Sequence, residues 1–178
     1  MVERSSTLWI YRATFVLLVA AIAFVQLLPL RPGPGGIPGP DIILLIALSW
    51  LVMRPDYVPV FLLAVVFLAV DLLLMRPPGL WTALTVLAGE FLRGRQPQLR
   101  AASFPMEWAL IAALILAMTL VNTVVLTLFA VGQPSLGLTI IRALFTILCY
   151  PIVVILAGRA FGIRKVRAGD QDGFGYRS

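Results

Sequence analysis

The stretch FLAVDLLLMRPPGLW, residues 67–81, sets one carboxylate, Asp71, inside an apolar run that closes at Arg76, Pro77 and Pro78. Two prolines in succession cannot continue a helix, so one helical segment ends before them and another begins after them. The loop RPGPGGIPGPD, residues 31–41, interrupts the chain in the same way through its alternating proline and glycine. Between such breaks the sequence is almost entirely apolar. Of 178 residues, 61% are hydrophobic and only 12% charged, and the mean hydropathy is +1.00, which places the chain with integral membrane proteins and not with soluble domains.

The breaks divide the chain into six expected spans, at about residues 13–29, 40–53, 57–75, 79–92, 107–129 and 136–161. Together they form a single six-helix transmembrane domain over residues 1–167, followed by a short cytoplasmic tail at 168–178. The first run offers no small-x-small cleavage site and is read as a retained span. The apolar runs of the second and fourth segments, Ile42–Met53 and Leu80–Leu92, are short: at 1.5 Å per residue they reach roughly 20 Å against a hydrocarbon core of about 30 Å. They either borrow flanking residues, cross a locally thin bilayer or are re-entrant.

Basic residues orient the chain. Six spans with a cytoplasmic N-terminus put Arg4, Arg12, Arg54, Arg93, Arg95, Arg100, Arg159, Arg164, Lys165, Arg167 and Arg177 inside and leave Arg31 and Arg76 outside. Both termini are therefore expected in the cytoplasm. Placed at the ends of apolar runs, these residues account for the formal charge of +6 without nucleic acid. Trp9, Trp50, Trp81 and Trp108 each fall near the end of a run, as interfacial tryptophans do.

Histidine is absent and Cys149 is the single cysteine, so Cys/His zinc sites, internal disulfides and histidine-based catalysis are excluded within this chain. The glycines of the 31–41 loop lack the lysine and preceding strand of a phosphate-binding loop. A non-enzyme without cofactors is expected. Polar groups at membrane depth are the remaining place for function: Asp71, Glu90, Asn122 and Arg142, with Gln26, Ser49, Thr82 and Thr85 as weaker members. Counted from the outer ends of their spans, Asp71, Arg142 and Asn122 lie at depths of roughly 6, 9 and 10 Å. Equal depth predicts a polar clasp in which Asp71 pairs with Arg142 and Asn122 adds a hydrogen bond, with Arg76 as second-choice partner of Asp71. Glu90 is expected to snorkel or pair beside Arg93 and Arg95. Pro151, after Tyr150, removes a backbone donor from the last span and bends it.

VDLLLMRPPGLWTALTVLAGEFLR (residues 70–93), LCYPIVVILAGRAFGIRKVR (148–167) and PDIILLIALSWLVMRPD (40–56) together resemble the bacterial rod shape-determining protein MreD family. The likeness runs from about Pro40 to Arg167. Asp71 and Gly79 match the acid and glycine of the family's joint between its third and fourth spans, and Tyr150 with Pro151 its late aromatic-proline pair. The resemblance implies a six-helix fold similar to the substrate-binding subunits of energy-coupling factor transporters. It also implies a non-catalytic subunit of the elongation machinery in the bacterial inner membrane, supporting side-wall peptidoglycan synthesis and rod shape. Its implied partners are MreC, MreB directly or indirectly, RodA and a class B penicillin-binding transpeptidase, in a setting of membrane lipids. The alternative expectation is a small-molecule-binding subunit of a transporter with the same six-helix shape.

Overall fold

A computed structural model describes residues 2–28 and 38–160. Among these the chain is helical and has no strand: α1 (Val2–Leu27), α2 (Ile42–Met53), α3 (Val60–Leu73), α4 (Leu80–Gly94), a short α5 (Gln96–Ala101), α6 (Phe104–Leu128) and α7 (Leu136–Ala160), with a 3-10 turn at Pro55–Tyr57. Segments of α1 (Thr7–Leu27), α6 and α7 are long and apolar enough to cross a membrane. They turn much of their apolar surface outward, through Leu17 and Phe24 on α1, Leu120 and Val124 on α6, and Leu148 and Ile152 on α7. An all-α fold that exposes such helices belongs in a membrane, where lipid is the solvent for those faces.

The centre of the bundle is α2. From Ile43 to Met53 every residue is buried, and the mostly leucine, isoleucine and valine sequence is apolar on all sides, as a helix enclosed by protein must be. Its neighbours are α1, α4 and α7, while α3 packs on α4 and α6 on both α4 and α7. Twelve residues make α2 only about 18 Å long. That shortness has a physical reason: enclosed by other helices, α2 does not face hydrocarbon and its length need not match the bilayer.

The other short segment, α4, has two different faces. Thr82, Thr85, Ala88, Gly89 and Leu92 are buried, spaced three and four apart along one side. The small residues let neighbouring helices come close. A Cβ on Gly89 would stand 3.0 Å from Leu63 Cδ2 and 3.3 Å from Leu51 Cδ1, so hydrogen is the only side chain that fits without movement of α2 or α3 side chains.

Side-chain contacts fix the sense of the helices. The starts of α2, α4 and α7 lie with the end of α3 at one end of the bundle, joined through Asp41, Arg142, Arg76, Asp71 and Gly79. The ends of α2 and α4 lie at the other, where the Gln96 amide donates to Leu51 O at 2.8 Å and Arg93 donates to Val58 O. There Tyr11 of α1 stacks on Tyr57, ring centroids 4.3 Å apart, and Phe15 packs on Trp50.

Boundaries differ from the sequence expectations where capping overrides hydropathy. The first helix begins at Val2, well before the apolar run at residue 13. The third is shorter than 57–75, because Pro55 starts a separate turn and Pro59 supplies the N-cap of α3. The fifth span starts at Phe104 with Pro105 in its first turn. The basic connection after α4 is not a simple loop but contains α5. The proposed tail, residues 168–178, lies outside the described residues.

Pro151 sits inside α7 and cannot donate to the carbonyl one turn back, that of Ile147. The Trp108 indole of α6 donates to this carbonyl at 3.0 Å. Next to it the Tyr150 hydroxyl donates to Glu107 Oε1 at 2.9 Å, both side chains being buried. The aromatic-proline pair of α7 thus meets the Glu107–Trp108 pair of α6. Trp108→Phe is expected to cost about 1–3 kcal/mol by leaving the Ile147 carbonyl unpaired. The same change should cost clearly less on a Pro151→Ala background, where the restored N–H competes for that carbonyl. Thermal unfolding in detergent of the single and double variants checks the coupling.

Candidate functional site

The polar residues singled out at depth separate into two centres. Asp71, fully buried at the last turn of α3, accepts three hydrogen bonds on Oδ2: from Gly79 N (3.2 Å), Thr82 N (3.1 Å) and Thr82 Oγ1 (2.8 Å). Gly79 is the N-cap of α4 and has no side chain with which to cap it. The free N–H groups at that helix start need an acceptor, and Asp71 supplies it from the preceding helix. Its negative charge also suits the positive end of the α4 dipole. The turn that makes this possible is tight. Arg76 N donates to Asp71 O at 2.9 Å, and Met75 and Gly79 take left-handed conformations with φ of 51° and 90°. Gly79 is the residue type that adopts such a φ without a Cβ penalty.

The second centre is built on Asp41, a residue the sequence reading left inside the proline-glycine loop. Asp41 is the N-cap of α2, with Oδ1 accepting from Leu44 N at 3.2 Å. Arg142 Nη2 donates to its Oδ2 at 2.9 Å, and Arg76 Nη1 lies 3.5 Å from the same oxygen. Behind the carboxylate, Asp41 N donates to Thr146 Oγ1 at 3.0 Å, and that hydroxyl donates to Arg142 O at 2.7 Å. One aspartate thereby ties α2 to α7 by side chain and backbone together. It is only 4% exposed, while the Arg142 side chain is 42% exposed.

The expected pairing of Asp71 with Arg142 is therefore corrected. Both stand at the same end of the bundle, as equal depth implied, but Asp71 turns to α4 and Arg142 to α2. Depth along a helix follows from counting residues; the direction around its axis depends on packing. Arg76, the second-choice partner of Asp71, also faces Asp41. Asn122 makes no hydrogen bond among the described residues, so the bond expected from it to the clasp is not formed. The signal for Asp41 was present in the sequence. An aspartate directly before a wholly apolar helix is an N-cap, and a helix apolar on every side has a buried cap that needs a cation.

Other expected residues fall as follows. Glu90 pairs with Arg93 at the opposite end, as proposed. Ser49 and Thr85 donate back into their own helices, to Ile46 O and Trp81 O. Cys149 is free and half-buried. Among the described residues no three histidine, cysteine, aspartate or glutamate side chains are placed to share a metal. Asn122, Arg142, Arg76 and Asp41 all line a cavity of about 550 Å³ that opens between α6, α7 and the α3–α4 turn.

No family model, no curated protein and no solved structure matches the chain. What the geometry itself provides is two polar joints, one between α3 and α4 and one between α2 and α7, beside a charged cavity.

Removing the Asp41 carboxylate leaves Arg142 and Arg76 without their anion, and Asp41→Ala is expected to destabilise by roughly 3 kcal/mol. Asp71→Ala should cost about 1–3 kcal/mol through the lost α4 cap. Double-mutant cycles in detergent separate the centres. Asp41 with Arg142 should couple by more than ~0.5 kcal/mol, and Asp71 with Arg142 should be additive within that margin.

Proposed function

We propose that the chain is a non-catalytic, multi-pass subunit of the bacterial inner membrane that acts by holding partner proteins of the cell-elongation complex, as its resemblance to the MreD family implies. The observation that carries this reading is the use made of polar groups at depth. Asp71 caps α4, Arg142 ties Asp41 to α7, and Tyr150 ties α7 to α6, so each of these groups serves as a joint between helices. A subunit that presents surfaces to partners on both sides of a membrane needs helices held in fixed register, and membrane interiors offer little hydrophobic drive for that. The residues matched to the family, Asp71, Gly79, Tyr150 and Pro151, are all members of such joints.

In this proposal α1, α2, α3, α4, α6 and α7 cross the membrane and α5 lies at the cytoplasmic face. The end holding Arg54, Arg93, Arg95 and Arg100 faces the cytoplasm, by the distribution of basic residues. Asp41, Arg76 and Arg142 then lie towards the outer face. MreC, RodA and a class B penicillin-binding transpeptidase are the membrane partners, and MreB is reached directly or through them. The second reading, a small-molecule-binding transporter subunit, is favoured by one observation, the 550 Å³ cavity.

Crosslinking and affinity purification from native membranes are expected to recover wall-synthesis proteins, and depletion is expected to convert rods into round cells. A depleted strain that stays rod-shaped, or a purification that returns an energy-coupling ATPase module instead, would overturn the first reading.

A further inference from the structure

The cavity gathers more positive than negative charge. Among the described residues that line it, the charged ones are Arg76, Arg142 and Asp41, giving two guanidiniums against one carboxylate. Both oxygens of Asp41 are engaged: Oδ1 accepts from Leu44 N, while Oδ2 accepts from Arg142 and lies 3.5 Å from Arg76. Each guanidinium carries five N–H donors in a planar fork. Of those on Arg142, only Nη2 makes a side-chain hydrogen bond among the described residues, to Asp41. Asn122 adds an amide with no partner among them. The rest of the lining is mixed, with Leu44, Leu74, Ile115 and Leu126 beside the polar groups.

A surplus positive charge at membrane depth is costly, and an anion that accepts from both guanidiniums relieves the cost. Guanidinium forks match phosphate oxygens in pairs, and a phosphodiester carries the single negative charge that would neutralise the surplus. The volume is that of a site for a small organic molecule or a lipid headgroup, and the apolar wall suits an attached hydrocarbon or ring. We propose that this cavity is a phosphodiester-binding site in which Arg142 and Arg76 hold the phosphate and Asn122 donates to one of its oxygens. The same chemistry is offered by a phospholipid headgroup and by a soluble phosphodiester. The site stands apart from the scaffold reading and does not depend on it.

The test uses the full chain, purified and delipidated in a non-ionic detergent, with thermal unfolding and native mass spectrometry as readouts. Three probes are titrated: dioctanoyl phosphatidylglycerol, dioctanoylglycerol, which keeps the chains and lacks the phosphate, and glycerophosphoglycerol, which keeps the phosphodiester and lacks the chains. Saturable stabilisation by the first and not the second supports the site with a lipid source. Saturable stabilisation by the third at comparable concentration supports it with a soluble source. Arg76→Gln and Asn122→Leu, neither of which removes the close Asp41–Arg142 contact, are each expected to weaken binding by roughly tenfold, the scale of one charge-assisted hydrogen bond. Both should unfold at nearly the parent temperature without ligand. Equal stabilisation by dioctanoylglycerol, saturable binding of none of the three, or unchanged affinity in both variants would overturn the proposal.

Discussion

A helix enclosed by other helices still has two ends whose backbone groups need partners. α2 imposes this constraint on what surrounds it, because its first amides and last carbonyls are met partly by its own caps and partly by groups from other elements. At one end Asp41 caps the amides and is itself neutralised by Arg142, with Arg76 nearby, while its backbone is held by Thr146. At the other, Gln96 reaches back to Leu51 O, and the backbone of Arg54 closes on Trp50 O at 2.7 Å. The parts of α5, α7 and the α3–α4 turn that provide these groups are thereby fixed relative to α2. Packing of small residues on α4, with Gly89 against Leu51 and Leu63, then determines how closely the ring of outer helices can draw in.

Three further joints follow one physical pattern, in which a group missing from one helix is supplied by its neighbour. Gly79 brings the left-handed turn that α4 needs at its start but no capping oxygen, and Asp71 of α3 provides the oxygen. Pro151 removes the N–H that would serve Ile147 O, and the Trp108 indole replaces it. Tyr150 is buried with a hydroxyl, and Glu107 accepts its proton-bearing oxygen's hydrogen bond. In each pair the defect alone would be destabilising and the donor or acceptor alone would be a buried polar group without use. Together they specify which helix lies beside which, a role that apolar contacts in lipid perform poorly.

The sequence made the existence of the helices and the end of the bundle to which each polar residue belongs readable, because both depend on counting along the chain. Apolar runs bounded by RPGPGG and RPPG mark breaks that geometry forces. It did not make legible the partner of Asp71, because four helices converge at that end and the choice among them depends on rotation about each axis. Asp41 was hidden for a different reason: adjacent prolines and glycines made it look like a loop residue, although the apolar helix after it required a buried cap. Trp108 read as an interfacial anchor since tryptophans commonly are, and its hydrogen-bonding role was visible only once Ile147 lay beside it. The helix ends at Val2 and Phe104 lay outside the apolar runs because hydropathy reports contact with lipid, whereas a helix ends where its backbone loses partners.

The two carboxylate joints differ in what they leave unmatched. At the α3–α4 turn Asp71 Oδ2 accepts from three donors that belong to the fold, while Oδ1 is buried without a hydrogen-bond partner among the described residues. Beside Asp41 the surplus is of the opposite kind, since guanidinium and amide donors of Arg76, Arg142 and Asn122 border open volume. A group retained only to hold helices together gains nothing from such a surplus, because an unmatched charge at depth opposes the packing it is meant to secure. The imbalance is tolerable if a phosphodiester completes it, and the same arginine can then serve both purposes: one edge of Arg142 fixes α7 to α2 while the rest of its fork is presented to a ligand.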